Sequence, residues 1–119
     1  TINMIIRKID RYAVRIATAT RQPTEVGLPD MERYILYGAS PRASIYLIFT
    51  ARALALLRGR AYVLGQDILD MALDVLRHRL VLSYEAMSDD VTGDDLLHRI
   101  LERIPMPTPP MHEHVAVNA

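Results

Sequence analysis

Gly38-Ala39-Ser40-Pro41-Arg42-Ala43-Ser44 reads as the opening of a helix with one arginine set at its start. Ser40 is a strong N-cap type, Pro41 suits the first helical position where its missing N–H costs nothing, and Arg42 follows in the first turn. Gly38 is read as a flexible entry. A cation at this end opposes the helix dipole at a cost of a few tenths of a kcal/mol or so, unless an anion answers it. Free N–H groups beside a planar guanidinium fork match phosphate oxygens. The alternative is an arginine held by solvent alone.

Working outward, the helix is expected to run from Pro41 to about Arg58, roughly 27 Å at ~1.5 Å per residue. Residues 43–51 carry no charge, and Ile45, Leu47, Ile48, Phe49, Leu54, Leu56 and Leu57 cover most of its circumference. That pattern predicts a central helix surrounded by others. Gly59 has the character of a C′ residue, and Arg58 stands where a cation favours the dipole, so Arg58 and Arg60 are read as structural.

Toward the N-terminus, Ile5, Ile9, Tyr12, Ala13, Ile16 and Ala17 recur at helical spacing, with Arg7, Arg11 and Arg15 stacked on another face. Such a charge run is expected to be a solvated face. Thr20-Arg21-Gln22 ends the pattern, Pro23, Gly27 and Pro29 break the chain into a loop, and Asp30 is expected to cap a short turn through Met31 to Leu36.

Toward the C-terminus, Tyr62-Val63-Leu64 is a short extended link before a helix carrying Ile68, Met71, Ala72, Val75 and Leu76. Leu64-Gly65-Gln66 offers no side-chain oxygen for a cap, so a frayed start is expected, with Asp67 partly compensating. Arg77-His78-Arg79-Leu80-Val81-Leu82-Ser83-Tyr84 reads as extended or irregular, with His78 a packed or hydrogen-bonded structural residue. Glu85 to Asp90 reads as a turn. Thr92 with Asp95 forms a capping-box-like start for a last helix bearing Leu96, Leu97, Ile100, Leu101 and Ile104. The organisation expected is a helical domain over 1–104 and a Pro-rich flexible tail over 105–119. His112-Glu113-His114 in that tail is too sparse a ligand set to imply a functional metal site.

The chain of 119 residues has 50% hydrophobic residues and no cysteine, enough for one modest core and no disulfide or thiolate chemistry. With no long uncharged apolar run and no signal pattern, the expected location is the cytoplasm. An opening on Thr1 points to a piece of a longer protein. The net charge of zero hides an asymmetry: residues 1–60 carry ten Lys/Arg and four Asp/Glu, and residues 61–119 carry four and ten. Oppositely charged helices packed side by side are the simplest account of most of these charges. The only lysine, Lys8, follows no glycine run, so no G-x-x-x-x-G-K-S/T is present and the chain cannot hold ATP by a P-loop. It also lacks an H-E-x-x-H or a Ser/His/Asp order, and is not expected to be an enzyme alone.

The words GASPRA (38–43) and LRHRLVLS (76–83), in that order and with the segments around them, resemble the C-terminal lid of a MoxR-family AAA+ ATPase over roughly Ile9 to Pro107. The resemblance implies an all-α small helical bundle of about four main helices with irregular connections. It identifies Arg42 as the sensor-2 residue reaching the γ-phosphate of ATP, with Ser40 beside it at the nucleotide. ATP and Mg would be bound mainly by a P-loop ATPase domain of the same parent chain. It further implies ring assembly, expected to be hexameric, and a chaperone-like role toward partners such as von Willebrand factor A-domain proteins. MoxR-like lids tend to carry a Thr-Pro or similar cap where this chain has Leu64-Gly65. Two rival readings remain. One is a stand-alone helical module whose basic N-terminal half contacts nucleic acid or protein, and the other a metal-dependent hydrolase built on His78, His98, His112 and His114.

Overall fold

The computed structural model describes residues 2–107, with side chains described from Ile6 onward. Four longer helices make the body: α1 (Ile2–Arg21), α2 (Arg42–Leu57), α3 (Gly65–Leu76) and α5 (Gly93–Arg103), with a short α4 (Tyr84–Ser88). Two brief strands, β1 (Ile35–Tyr37) and β2 (Val81–Leu82), pair antiparallel with Ile35 opposite Leu82 and Tyr37 opposite Val81. This ribbon ties the connection before α2 to the one after α3. The all-α bundle expected from the sequence is the fold observed.

The helical periods place the core. Ile9, Tyr12, Ala13, Ile16 and Ala17 of α1 meet Leu47 and Ala51 of α2, Ile68, Ala72 and Leu76 of α3, and Leu96, Leu97 and Ile100 of α5. Met31, from the 3-10 turn Pro29–Arg33, fills the same interior. That turn is capped at Leu28 rather than at Asp30, whose carboxylate instead pairs with Arg99 at 3.0 Å. α5 starts as read: Thr92 Oγ1 accepts from Asp95 N–H at 3.2 Å, and Asp95 Oδ2 accepts from Thr92 N–H at 3.0 Å. The end of α2 is a Schellman turn. Gly59 adopts φ 81°, Gly59 N–H bonds Leu56 O at 3.0 Å, and Arg60 N–H bonds Ala55 O at 2.9 Å.

Several expectations are corrected. α2 is not surrounded, because only Ala43, Ser44, Leu47, Ala51 and Ala55 are buried, while Ile45, Phe49, Leu56 and Leu57 stand 52 to 85% exposed. The start of α3 is not frayed. Asp67, fully buried, accepts from Leu64 N–H at 2.8 Å and from Arg58 and Arg60, so a carboxylate inside the first turn does the work of the missing cap. His78 is exposed in a 3-10 turn (Arg77–Arg79) rather than packed. The segment 85–90 lies mostly in α4, begun by Ser83, whose hydroxyl accepts from Ala86 N–H. Of the tail read from Pro105, residues 108–119, with His112, Glu113 and His114, lie outside the described residues.

Candidate functional site

Arg42 is presented by a loop fastened to the end of α1. Thr20 is fully buried; its hydroxyl donates to Ala17 O at 2.6 Å and accepts from Ala39 N–H at 2.8 Å. Arg21 Nη1 donates to Ala39 O at 2.7 Å. Both backbone groups of Ala39 are thereby held by consecutive residues of α1. Gly38 is no flexible entry. A Cβ there would lie 2.5 Å from the Thr20 carbonyl carbon and oxygen, so glycine is required by the closeness of two backbones.

From this anchor the first turn forms one residue later than the sequence implies. Pro41 adopts helical angles in the cap position (φ −55°, ψ −27°), and the Ser40 carbonyl accepts from Ala43 N–H at 2.9 Å. Ser40 thus serves the helix through its backbone; its exposed hydroxyl makes no hydrogen bond among the described residues. Ser44 Oγ donates back to Pro41 O at 2.7 Å. The Arg42 guanidinium is exposed and makes neither an ion pair nor a hydrogen bond among the described residues.

At about 100° per residue, Arg42, Ile45, Tyr46, Phe49, Ala53 and Leu56 share one outward face of α2. The arginine therefore heads an exposed apolar stripe that runs the length of the helix. Beside the lower half of the stripe, an apolar groove of about 650 Å³ opens between α1 and α2, lined by Ile6, Ile9, Ile48, Arg52, Leu56 and Tyr62.

The arginines at the other end of α2 are fully engaged. Arg60 Nη2 lies 2.6 Å and Arg58 Nη1 3.0 Å from Asp67 Oδ1, and Arg58 Nη2 lies 2.7 Å from Asp70. Burial alone would raise the Asp67 carboxyl, but Arg60, the Leu64 N–H and Arg58 outweigh it and hold the group below the ordinary carboxylate range. His78 and His98 are both exposed, and no cluster of three His, Cys, Asp or Glu side chains able to hold a metal exists among the described residues.

Sequence reasoning singled out Arg42 as a candidate and passed over Thr20 and Arg21, which hold its loop. A signal was present: Thr20 continues the apolar face of Ile9, Ala13 and Ile16, a position where a hydroxyl needs a partner.

The AAA lid domain family matches residues 30–111. The chain is 43% identical over 105 residues to Chaperone MoxR1 of Mycobacterium tuberculosis, an alignment covering 88% of this chain and 28% of that protein. It is 40% identical over 77 residues to Protein MoxR of Paracoccus denitrificans, covering 61% and 23%. A crystal structure from Cytophaga hutchinsonii of a protein provisionally named an ATPase superposes with a TM-score of 0.81 at 39% identity, covering 85% of this chain and 31% of that one. The chain thus spans less than a third of the length of each of these relatives.

Proposed function

The chain belongs to the AAA lid domain family, as the lid of a MoxR-type AAA+ ATPase, and from that premise we propose that it forms the sensor-2 half of a nucleotide site. Arg42 is the residue that acts. The supporting observation is its position: an unpaired guanidinium on a rigidly anchored helix start, at the head of an exposed apolar stripe that a neighbouring domain would cover. The P-loop domain of the parent chain is the surface proposed to lie against that stripe, and ATP held there would bring its γ-phosphate to Arg42, with Ser40 alongside.

The residues fit a polyphosphate. A free planar fork at the positive end of a helix suits phosphate oxygens, and the loop bonds to Thr20 and Arg21 hold its backbone before any nucleotide arrives. Magnesium, carried by the P-loop domain, would supply charge neutralisation on the phosphates. Arg42 contributes positive charge at the transferring phosphoryl group, and its loss of that partner after hydrolysis frees the lid to swing against the P-loop domain and the next subunit. On the same reading the parent assembles as a ring, a hexamer in the simplest case, and acts as a cytoplasmic chaperone on partners that include von Willebrand factor A-domain proteins.

The test is ATP turnover and ATP affinity of the parent protein with Arg42→Ala. Turnover is expected to fall about tenfold or more with the fold intact. Turnover and affinity both unchanged would sink the assignment.

One observation favours a second reading. Arg7, Lys8, Arg11 and Arg15 form an exposed ridge on α1 with no ion pair among the described residues, as a nucleic-acid contact would need. That reading expects oligonucleotide binding by the parent that weakens roughly tenfold or more over a severalfold rise in salt.

A further inference from the structure

The helix that opens in the word GASPRA and the turn that carries LRHRLVLS meet in the fold at one aromatic ring. Arg79 comes from the second word, and its guanidinium carbon lies 4.4 Å from the centroid of the Tyr46 ring, one helical turn after Arg42. Side chains of a helix lean toward its N-terminus, so the Tyr46 ring covers the first turn of α2 and brings Arg79 to the turn that carries Arg42. We propose that Arg79 is a second guanidinium of the same polyphosphate site, held flat by Tyr46 and serving nucleotide binding. This inference rests on the lid reading above.

The use made of the neighbouring charges supports it. Arg77, two residues earlier in the same 3-10 turn, is taken up by Asp94 at 2.7 Å and by Asp74 at 3.3 Å. Arg79 takes neither acid, and among the described residues it makes no ion pair and no hydrogen bond. Elsewhere in the chain Asp67 and Asp70 are taken up by Arg58 and Arg60, and Asp89 accepts from the Tyr34 hydroxyl at 2.7 Å. The contact with the ring uses none of the Arg79 N–H donors, whose fork geometry matches a tetrahedral oxyanion. Two unanswered guanidiniums on neighbouring positions repel each other, and one polyphosphate satisfies both.

The experiment uses the full parent ATPase and compares Arg79→Ala, Tyr46→Ala and their double variant with Arg42→Ala, reading kcat and KM for ATP and the affinity for a non-hydrolysable ATP analogue. Arg79→Ala is expected to raise KM and weaken analogue binding by about tenfold while kcat changes less. Tyr46→Ala should reproduce that loss, and the double variant should be little worse than either single one, because the two residues act as a unit. Tyr46→Phe, which keeps the ring, should recover most of what Tyr46→Ala loses, and Arg79→Lys should recover little, since an ammonium offers no fork. Arg79→Gln guards against a loss that comes from removing the packed stem.

If Arg42→Ala costs turnover while Arg79→Ala leaves analogue affinity unchanged, the inference is overturned and the lid reading stands. If neither variant has an effect, both fall. A carboxylate on the P-loop domain would also suit the Arg79 fork. In that case Arg79→Ala would loosen the nucleotide-free protein in a thermal melt and leave analogue affinity untouched, which overturns the inference as well.

Discussion

At the C-terminal end of α2, Arg58 and Arg60 fold back across the turn at Gly59 and close on the buried Asp67, whereas at the N-terminal end Arg42 closes on nothing among the described residues. The same residue type does different work at the two ends. A cation at a helix C-terminus gains from the dipole, and these two also neutralise a carboxylate that could not otherwise be buried. A cation at the N-terminus opposes the dipole, yet its loop is fixed by Thr20 and Arg21, so the backbone holds the arginine where the fold gains nothing from it. The first end is explained by the chain itself, and for the second the proposed nucleotide is the partner.

The sharpest way to break the comparison is at Asp67. Asp67→Asn should destabilise the domain by about 3 kcal/mol, the low end for breaking a buried pair because Arg58 reaches water, as read by urea or thermal unfolding. Its pH dependence carries a sign. The folded carboxyl lies below its unfolded value, so its stabilisation is complete above about pH 4 and is lost as pH falls through the folded value. The variant should therefore show a shallower acid limb than the wild type. Next in size is Gly38→Ala, which drives a methyl into the Thr20 carbonyl and should cost about 1–3 kcal/mol by the same measurement. Thr92→Ala removes the ordinary cap of α5 and should cost about 1 kcal/mol. Smallest, and opposite in sign, is Arg42→Ala. Removing a cation from the positive end of α2 should leave stability unchanged or raise it by a few tenths of a kcal/mol.

The helices were legible where one signal dominated: the apolar period of α1, Gly59 ending α2, and Thr92 with Asp95 starting α5. α2 was misread because an apolar circumference says that water is unfavourable on every side and does not say what covers each side. Among the described residues only one side is covered. The start of α3 was misread because capping was sought at Leu64, while Asp67 supplies it from inside the first turn with two arginines from the preceding one. The β1–β2 ribbon is too short to show an alternating pattern. At the candidate site, Arg42 stood out because it offended a local rule. Thr20, Gly38 and the Tyr46–Arg79 stack were hidden because each depends on a contact between distant segments.

The most direct measurement sets the two ends of α2 side by side: steady-state ATP hydrolysis by the parent protein carrying Arg42→Ala or Asp67→Asn, at a temperature where both remain folded. The expected result is a turnover loss of about tenfold or more for Arg42→Ala with a melting temperature no lower than wild type, and a lowered melting temperature for Asp67→Asn with a smaller loss of turnover. Unchanged turnover for Arg42→Ala would contradict the account, leaving Arg42 an arginine held by solvent.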